Sequence, residues 1–429
     1  RTQLGKTTEI LDIIYNNPAT NAVIVIPNSK LALSELKGRI EDRLHDRDHE
    51  VFIITKSSDI KLKVTEVHNE LIKTENQKQI VIIFMGNYSQ LGESSILNPV
   101  RLSYQRGCIW SLFIDESDLF LFDESSTNSN SRDIHLFALL TSLKWDFVQF
   151  YTATIYSHVM RVFKEDNRDH YNLDIKYKIM EESPNYSGYE DFEYHDVPFL
   201  SMGKSFNEEA IDAALEKMET LLYDRKTFGI HITAHWNPLQ NDIKYYLLEN
   251  YRGVGVILAN QEGIDATCIA DGKMRNRSGP TFKRILEAAD WLLEQGMTKI
   301  FFIGKDSLGR MQTLTNSDHS LKCMCQLVLQ PGPHAEGLIQ LIGRLTGRHF
   351  KGSGARYILA EQKVISQIKQ YIENDEYLRE CVKKSEDGII TKKDLKDLPR
   401  HTKRLTTTRK SEYVSKTSNL TDHAFEVDL

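Results

Sequence analysis

Several features that mark specialised protein classes are scarce here. Only five of the 429 residues are cysteine (Cys108, Cys268, Cys323, Cys325 and Cys381). They are scattered and odd in number, which excludes a disulfide framework and points to free thiols in a reducing compartment: cytoplasm, nucleus or virion. With 10 prolines and 23 glycines, the chain is neither collagen-like nor a low-complexity disordered polymer. Long apolar runs are missing. The run Ile80–Met85 is far short of the ~18 residues that a membrane span needs, so no membrane partner is expected. A large excess of one charge is missing too. Lys and Arg number 54 against 60 Asp and Glu, a net charge of −6, which argues against a globally basic nucleic-acid binder and confines any such contact to local patches. What is present, 40% hydrophobic and 27% charged residues, is the composition of a folded protein with about two to four domains. The first residue is Arg1 rather than Met, so an upstream segment is expected.

Up to about residue 155 short apolar runs alternate with helix-like stretches. Ala22–Ile26, Val51–Thr55, Ile80–Phe84, Ile109–Ile114 and Val148–Tyr151 read as buried parallel strands, the pattern of an α/β doubly wound sheet. Ser125–Ser131 reads as a surface loop. Residues 160–205 break the alternation with turn chemistry at Pro184–Gly188 and an acidic stretch at Glu190–Glu193, and read as a linker or small insertion. A second alternating region follows. It predicts helices over Asn207–Tyr223, Gln240–Asn250, Thr281–Gln295 and Ala335–Leu345, and strands over Phe228–Thr233, Val254–Ala259, Lys299–Ile303, Lys322–Leu329 and Ala355–Ala360. The expected organisation is therefore two tandem α/β domains with parallel sheets, 1–159 and 206–360, then a C-terminal helix and basic polar tail over 361–429. The tail reads as a solvated end ahead of a nucleic-acid-binding arm.

The chain opens Arg1-Thr2-Gln3-Leu4-Gly5-Lys6-Thr7-Thr8, followed by the apolar helical pattern Ile10, Leu11, Ile13 and Ile14. This is the tail of the phosphate-binding pattern G-x-x-x-x-G-K-[ST]. Gly5 lets backbone N–H groups turn onto phosphate oxygens, with Thr8 also counted in the cradle, and the helix N-terminus adds a favourable dipole. Lys6 would neutralise β- and γ-phosphates, and the Thr7 hydroxyl would ligate Mg²⁺. A truncated G-K-T alone also occurs by chance. Context comes from Asp115-Glu116-Ser117-Asp118 after the run Ile109–Ile114, since a carboxylate beyond a buried parallel strand faces the crevice where such sheets bind ligands. Asp115 would hold Mg²⁺ and Glu116 would orient an attacking water, with a helix N-cap as the alternative for Asp115. Thr152-Ala153-Thr154 follows a strand, where the hydroxyls of Thr152 and Thr154 would couple the nucleotide site to a neighbouring domain. In the second half, Gln340-Leu341-Ile342-Gly343-Arg344-Leu345-Thr346-Gly347-Arg348 places two arginines at a glycine-punctuated helix end. Arginines reaching across a cleft stabilise charge on a transferred phosphoryl group, whereas ordinary surface arginines are only solvated charge.

In this order the motifs resemble those of superfamily 2 helicases and translocases. Gly5-Lys6-Thr7 is similar to motif I, Val25 through Lys30 to motif Ia, and Asp115-Glu116-Ser117-Asp118 to motif II. Thr152-Ala153-Thr154 is similar to motif III and Gln340 through Arg348 to motif VI. Phe302 through Gln312 stands where motif V would be and resembles the Z1-type branch of viral, phage and bacterial helicase-like proteins. The resemblance spans roughly residues 1–360 and implies two RecA-like domains with ATP and Mg²⁺ between them. It implies catalytic roles for Lys6, Glu116, Gln340, Arg344 and Arg348. It also implies backbone contacts to nucleic acid from Asn28, Lys30, Asn87, Trp236 and Arg310, with packing of Trp236 against its own domain as the equal alternative. The chain departs from the pattern in three places. Motif II is not DEAD or DEAH, the motif VI arginines stand four apart rather than three, and Thr313 replaces a motif V aspartate. Of the two arginines, Arg344 is the one assigned to the γ-phosphate.

The implied function is an ATP-dependent helicase or translocase acting on a single strand or tailed duplex, with DNA slightly favoured over RNA, as a subunit of a replication or transcription complex. The alternative is a helicase-like structural or nucleic-acid-binding subunit that does not unwind. His319, Cys323, Cys325 and His334 raise zinc, but Cys323-Met324-Cys325 alternates within an apolar strand and lacks the usual ligand spacing, so metal there is disfavoured.

Overall fold

The computed structural model describes residues 6–26, 30–54, 65–67, 69–70, 78–85, 97–104, 107–115, 144–152, 155–163, 176–180, 184–260, 263–278, 282, 284–304, 314–331, 335–391, 393–395 and 398. Within them lie two α/β sheets. The first contains β1 (Thr20–Ile26), β2 (His49–Ile54), β3 (Gln79–Met85), β4 (Ile109–Ile114) and β5 (Val148–Phe150). All are parallel, in the order β2-β3-β1-β4-β5. β1 and β4 are buried along nearly their whole length, as expected for central strands covered on both faces. Burying one such Ile or Val side chain contributes roughly 1.5–3 kcal/mol.

The chain leaves β1 toward β2 on one side and β4 toward β5 on the other. The C-terminal ends of these adjacent strands therefore form a topological switch point, where open α/β sheets bind ligands. Helix α1 (Lys6–Asn16) packs Ile10, Leu11 and Ile14 against this sheet. Gln79 pins its far end. The buried side-chain amide nitrogen lies 2.9, 3.0 and 2.8 Å from the carbonyl oxygens of Ile14, Asn17 and Thr20. Its two N–H groups are shared between the helix C-terminus, whose last carbonyls lack helical partners, and the start of β1. Helices α2 (Lys30–Leu44) and α3 (Leu97–Tyr104) also precede β4.

The second sheet has eight strands in the order β10-β9-β8-β11-β7-β12-β13-β6. They are β6 (Phe192–Asp196), β7 (Phe228–Thr233), β8 (Val254–Asn260), β9 (Gly263–Ala270), β10 (Lys273–Ser278), β11 (Lys299–Ile303), β12 (Cys323–Val328) and β13 (Arg356–Ala360). Six are parallel, while β9 and β10 extend the sheet as antiparallel strands. The sequence pattern assigns no strand to β9 or β10. Their turn, Asp271 (φ 53) and Gly272 (φ 72), has the two successive left-handed residues of a tight hairpin. β6 falls inside the stretch read as a linker, and pairs with β13 at the sheet edge.

Among the described residues, the α-helices after β5 are α4 (Ile155–Phe163), α5 (Glu208–Leu221), α6 (Asn237–Asn250), α7 (Ile285–Glu294), α8 (Ala335–Ile342) and α9 (Gln362–Lys384). α9 buries Val364, Ile365, Ile368, Tyr371, Leu378 and Val382, the three-to-four spacing of an amphipathic helix. The expected fold class, tandem α/β domains with parallel sheets followed by a C-terminal helix, is the architecture observed. The sequence division ends the first domain after residue 159. In the structure, Ile155, Tyr156 and Val159 of α4 pack in the core of the second sheet, whereas Tyr151 belongs to that of the first.

Candidate nucleotide site

Lys6 opens α1, and Asp115 directly follows β4 at the switch point. The Asp115 amide donates to the Val25 carbonyl, 2.9 Å away, which continues the parallel ladder by one residue and fixes the carboxylate at the strand end. Lys6 Nζ lies 3.4 Å from Asp115 Oδ1, with the side chains only 11% and 3% exposed. Removing two charges from water costs several kcal/mol per ion. An ion pair of this kind is weak support for stability, and it stands at the crevice where open α/β sheets bind ligands. Thr7 is half-buried and Thr8 exposed in the same helical turn. Gly5 and Glu116 lie outside the described residues.

Two residues that the motif reading passed over join this site. Tyr151, buried at the end of β5, holds its amide to the Ile114 carbonyl. Burial pushes its phenol pKa well up, and the carboxylates of Glu9 and Asp115 push it further. The Tyr151 hydroxyl and Glu9 Oε2 are both buried with no hydrogen-bond partner among the described residues. Their sequence signals were slight: Tyr151 immediately precedes Thr152, and Glu9 is an acid in the first turn of α1. Thr152 is half-buried beside Tyr151, and Thr154 lies outside the described residues.

The donor set suits a phosphate and a divalent cation. Lys6 and the first-turn amides of α1 match phosphate oxygens, while the Thr7 hydroxyl and the Asp115 carboxylate are hard oxygen ligands of the kind Mg²⁺ prefers.

In the second domain α8 ends at Ile342 and tightens into a 3-10 turn over Gly343–Leu345. Gln340 and Arg344 are buried, whereas Arg348 is exposed. Arg344 lies close enough to His231 for its charge to oppose imidazole protonation. Burial is the larger cause and brings the His231 pKa down to about 4. His231 on β7 stands in register with Gln326 on β12, and both side chains are fully buried. The turn itself is fixed by Arg356, which is fully buried. Its guanidinium donates to the carbonyls of Ser187, Gly188 and Leu345 and to Asp191 Oδ2, with the Phe192 and Phe350 rings 5.0 and 5.2 Å away. Ser187 and Gly347 also form a short antiparallel bridge. Gly347, at φ 121, takes a backbone conformation that favours glycine.

The expected nucleic-acid contacts are only partly placed. Trp236 is half-buried and packs against the core of its own domain, at the start of α6. Gln330 Oε1 accepts from the amides of His235 and Trp236, and its Nε2 donates to the Gly203 carbonyl, which holds this loop in place. Lys30 begins α2, but its side chain, like Asn28, Asn87 and Arg310, lies outside the described residues. Cys323 and Cys325 are buried in β12, and burial raises both thiol pKa values. His334 lies outside the described residues. Among the described residues no cluster of three or more His, Cys, Asp or Glu side chains is placed to hold a metal, and no helix is long and apolar enough to cross a membrane.

No protein-family model matches the chain, and no curated protein sequence matches it. Among solved structures it is similar to S. cerevisiae Dbp5 bound to RNA and ADP BeF3, at 12% identity and a TM-score of 0.48, over 87% of this chain and 82% of that one. It is also similar to the DUF1998 helicase MrfA bound to DNA, at 13% identity and a TM-score of 0.49, over 94% of this chain and 53% of that one.

Proposed function

We propose that the chain is an ATP-driven motor of the superfamily 2 type, moving on a nucleic-acid strand. The observation that carries this reading is the buried Lys6–Asp115 pair at the switch point of the first sheet. Lys6 and the α1 N-terminus would bind the phosphates of ATP. Thr7 and Asp115 would hold Mg²⁺, which supplies charge neutralisation to the phosphate oxygens. Glu116 would orient the attacking water, and Arg344, with Gln340 and Arg348 near it in sequence, would stabilise charge on the transferred phosphoryl group from the second domain. Closure and release of the two domains would then advance a strand held through its backbone phosphates, for which Asn28, Lys30, Asn87, Trp236 and Arg310 are the proposed contacts. Thr152 and Thr154 would carry the coupling between the two events.

ATP turnover by the purified chain, with and without single-stranded DNA or RNA, tests the proposal, followed by strand displacement on tailed duplexes. The expected result is stimulation by a single strand, abolished by Lys6→Ala and by Glu116→Gln. Normal turnover in either variant would overturn the site assignment. Nucleic-acid binding without any turnover would favour a non-hydrolysing structural subunit instead.

A further inference from the structure

Only three residues separate the two hydrophobic cores along this stretch of chain. Tyr151 is buried in the first core and Ile155 in the second, with Thr152-Ala153-Thr154 between them. Ile155 begins α4, whose first-turn N–H groups have no partner within the helix. One of them, the Tyr156 amide, donates to Asp375 Oδ1 at 3.0 Å, from a residue 219 positions further along the chain. Asp375 lies on α9, so α4 is capped from another helix. The other carboxylate oxygen of Asp375 accepts from Arg379 Nε at 2.8 Å, one turn along α9, and both side chains are about one-tenth exposed. The ring of Tyr156 meets that of Tyr371 edge-on, with centroids 5.0 Å apart.

α9 also packs against α8. Ile339 of α8 lines a small recess together with Tyr371, Ile372 and Asp375. α8 runs directly into the turn that carries Arg344. One helix therefore touches both the element that follows Thr152–Thr154 and the element that precedes Arg344. Tyr151, at the near end of the three-residue span, lies within electrostatic reach of Asp115.

We infer that Asp375 is a positioning residue. By capping α4 it fixes that helix to α9, so that α4 and the Arg344 turn move together against Lys6 and Asp115. The inference rests on the motor reading above. It assigns the coupling of nucleotide binding to domain closure to a side chain outside every helicase-like motif in the chain. A buried Asp–Arg pair with a purely structural role is the competing explanation.

The test uses the full chain and compares Asp375→Ala with the neutral double variant Asp375→Asn, Arg379→Gln. Asparagine keeps an oxygen for the Tyr156 amide, and the double change leaves no buried charge unpaired. Thermal melts confirm folding, amide hydrogen exchange reports the Tyr156 cap, and steady-state kinetics give KM for ATP and kcat with and without single-stranded DNA. In Asp375→Ala the strand-stimulated kcat is expected to fall about fivefold, the factor set by losing one helix cap, with KM for ATP changed less than ~2-fold. The Tyr156 amide should lose protection, and the double variant should recover both the protection and the stimulated kcat. The inference is overturned if Asp375→Ala keeps full stimulation. It is equally overturned if KM and unstimulated turnover collapse together with the stimulated rate, or if the double variant restores protection but not stimulation. Absence of turnover in the unsubstituted chain sinks the motor reading and this inference with it, and is seen before any variant is made.

Discussion

Lys6 and Asp115 allow the site to be tested by stability as well as by turnover. At 3.4 Å and an effective dielectric constant of ~20, the attraction between the two charges is about 5 kcal/mol. The cost of withdrawing both ions from water is of similar size, so the intact pair adds little net stability. Removing one partner is different, because the other charge stays buried without its opposite at 3.4 Å. Lys6→Met takes the lysine charge away from Asp115 in a setting only 3% exposed, and Asp115→Asn takes the carboxylate charge away from Lys6. Each should lower the unfolding free energy of the first domain by ~3 kcal/mol. The double variant should recover at least half of the summed loss, since both charges are removed together.

Urea unfolding measures this, and repeating it with ATP and Mg²⁺ separates a structural pair from a ligand site. At a ligand concentration one hundred times Kd the parent should gain about 2.7 kcal/mol. All three variants should gain almost none, including the double variant whose stability has returned. Two results would refute the reasoning. One is a Lys6→Met protein as stable as its parent, which would mean that the pair is not buried as described. The other is a double variant that retains the full ATP-dependent gain, which would leave the ion pair a purely structural one.

Two further outcomes are expected. His231 is neutral in the folded protein, because burial brings its pKa to about 4 from an ordinary 6.5, with a smaller contribution from Arg344. The unfolded chain takes up this proton first as pH falls, so stability should be lost between about pH 6.5 and 4, by roughly 3 kcal/mol in all. His231→Gln should flatten that part of the profile in urea melts, and an unchanged slope would count against the buried neutral imidazole. Arg356→Lys keeps a charge but not the planar fork that serves three carbonyls and Asp191. It should cost ~2 kcal/mol of stability and raise hydrogen exchange at the Thr346 and Gly347 amides, which a shift confined to β13 would leave alone.

Much of the fold was legible because central parallel strands are apolar on both faces. The five runs read in the first half coincide with β1 to β5 to within a few residues at each end. β10 was not legible for the opposite reason. Each of its six residues is exposed, so no burial pattern marks it, and the usable signal was the Asp271-Gly272 pair at the turn. β6 was obscured by the turn residues and acids that precede it. The docking of α4 and its cap from Asp375 depend on a contact between segments 219 residues apart, which no local periodicity encodes.

The same distinction runs through the candidate site. Lys6 and Asp115 could be brought together from sequence because each is tied to an element end: the lysine opens a helix and the aspartate closes a parallel strand. Sheet topology then places both ends at one crevice. For Arg344 the motif predicted a position along the chain but not its surroundings, since those come from strands read only as apolar. Phe228–Thr233 and Cys323–Val328 each carry one large polar side chain, His231 and Gln326, and the register sets the two side by side. A polar residue in the middle of a central strand is costly unless something polar lies over it. Two such residues in neighbouring strands therefore predict a polar partner above the sheet. Here the group near enough to act is Arg344 at the end of α8, whose charge opposes protonation of His231, while neither His231 nor Gln326 has a side-chain hydrogen-bond partner among the described residues.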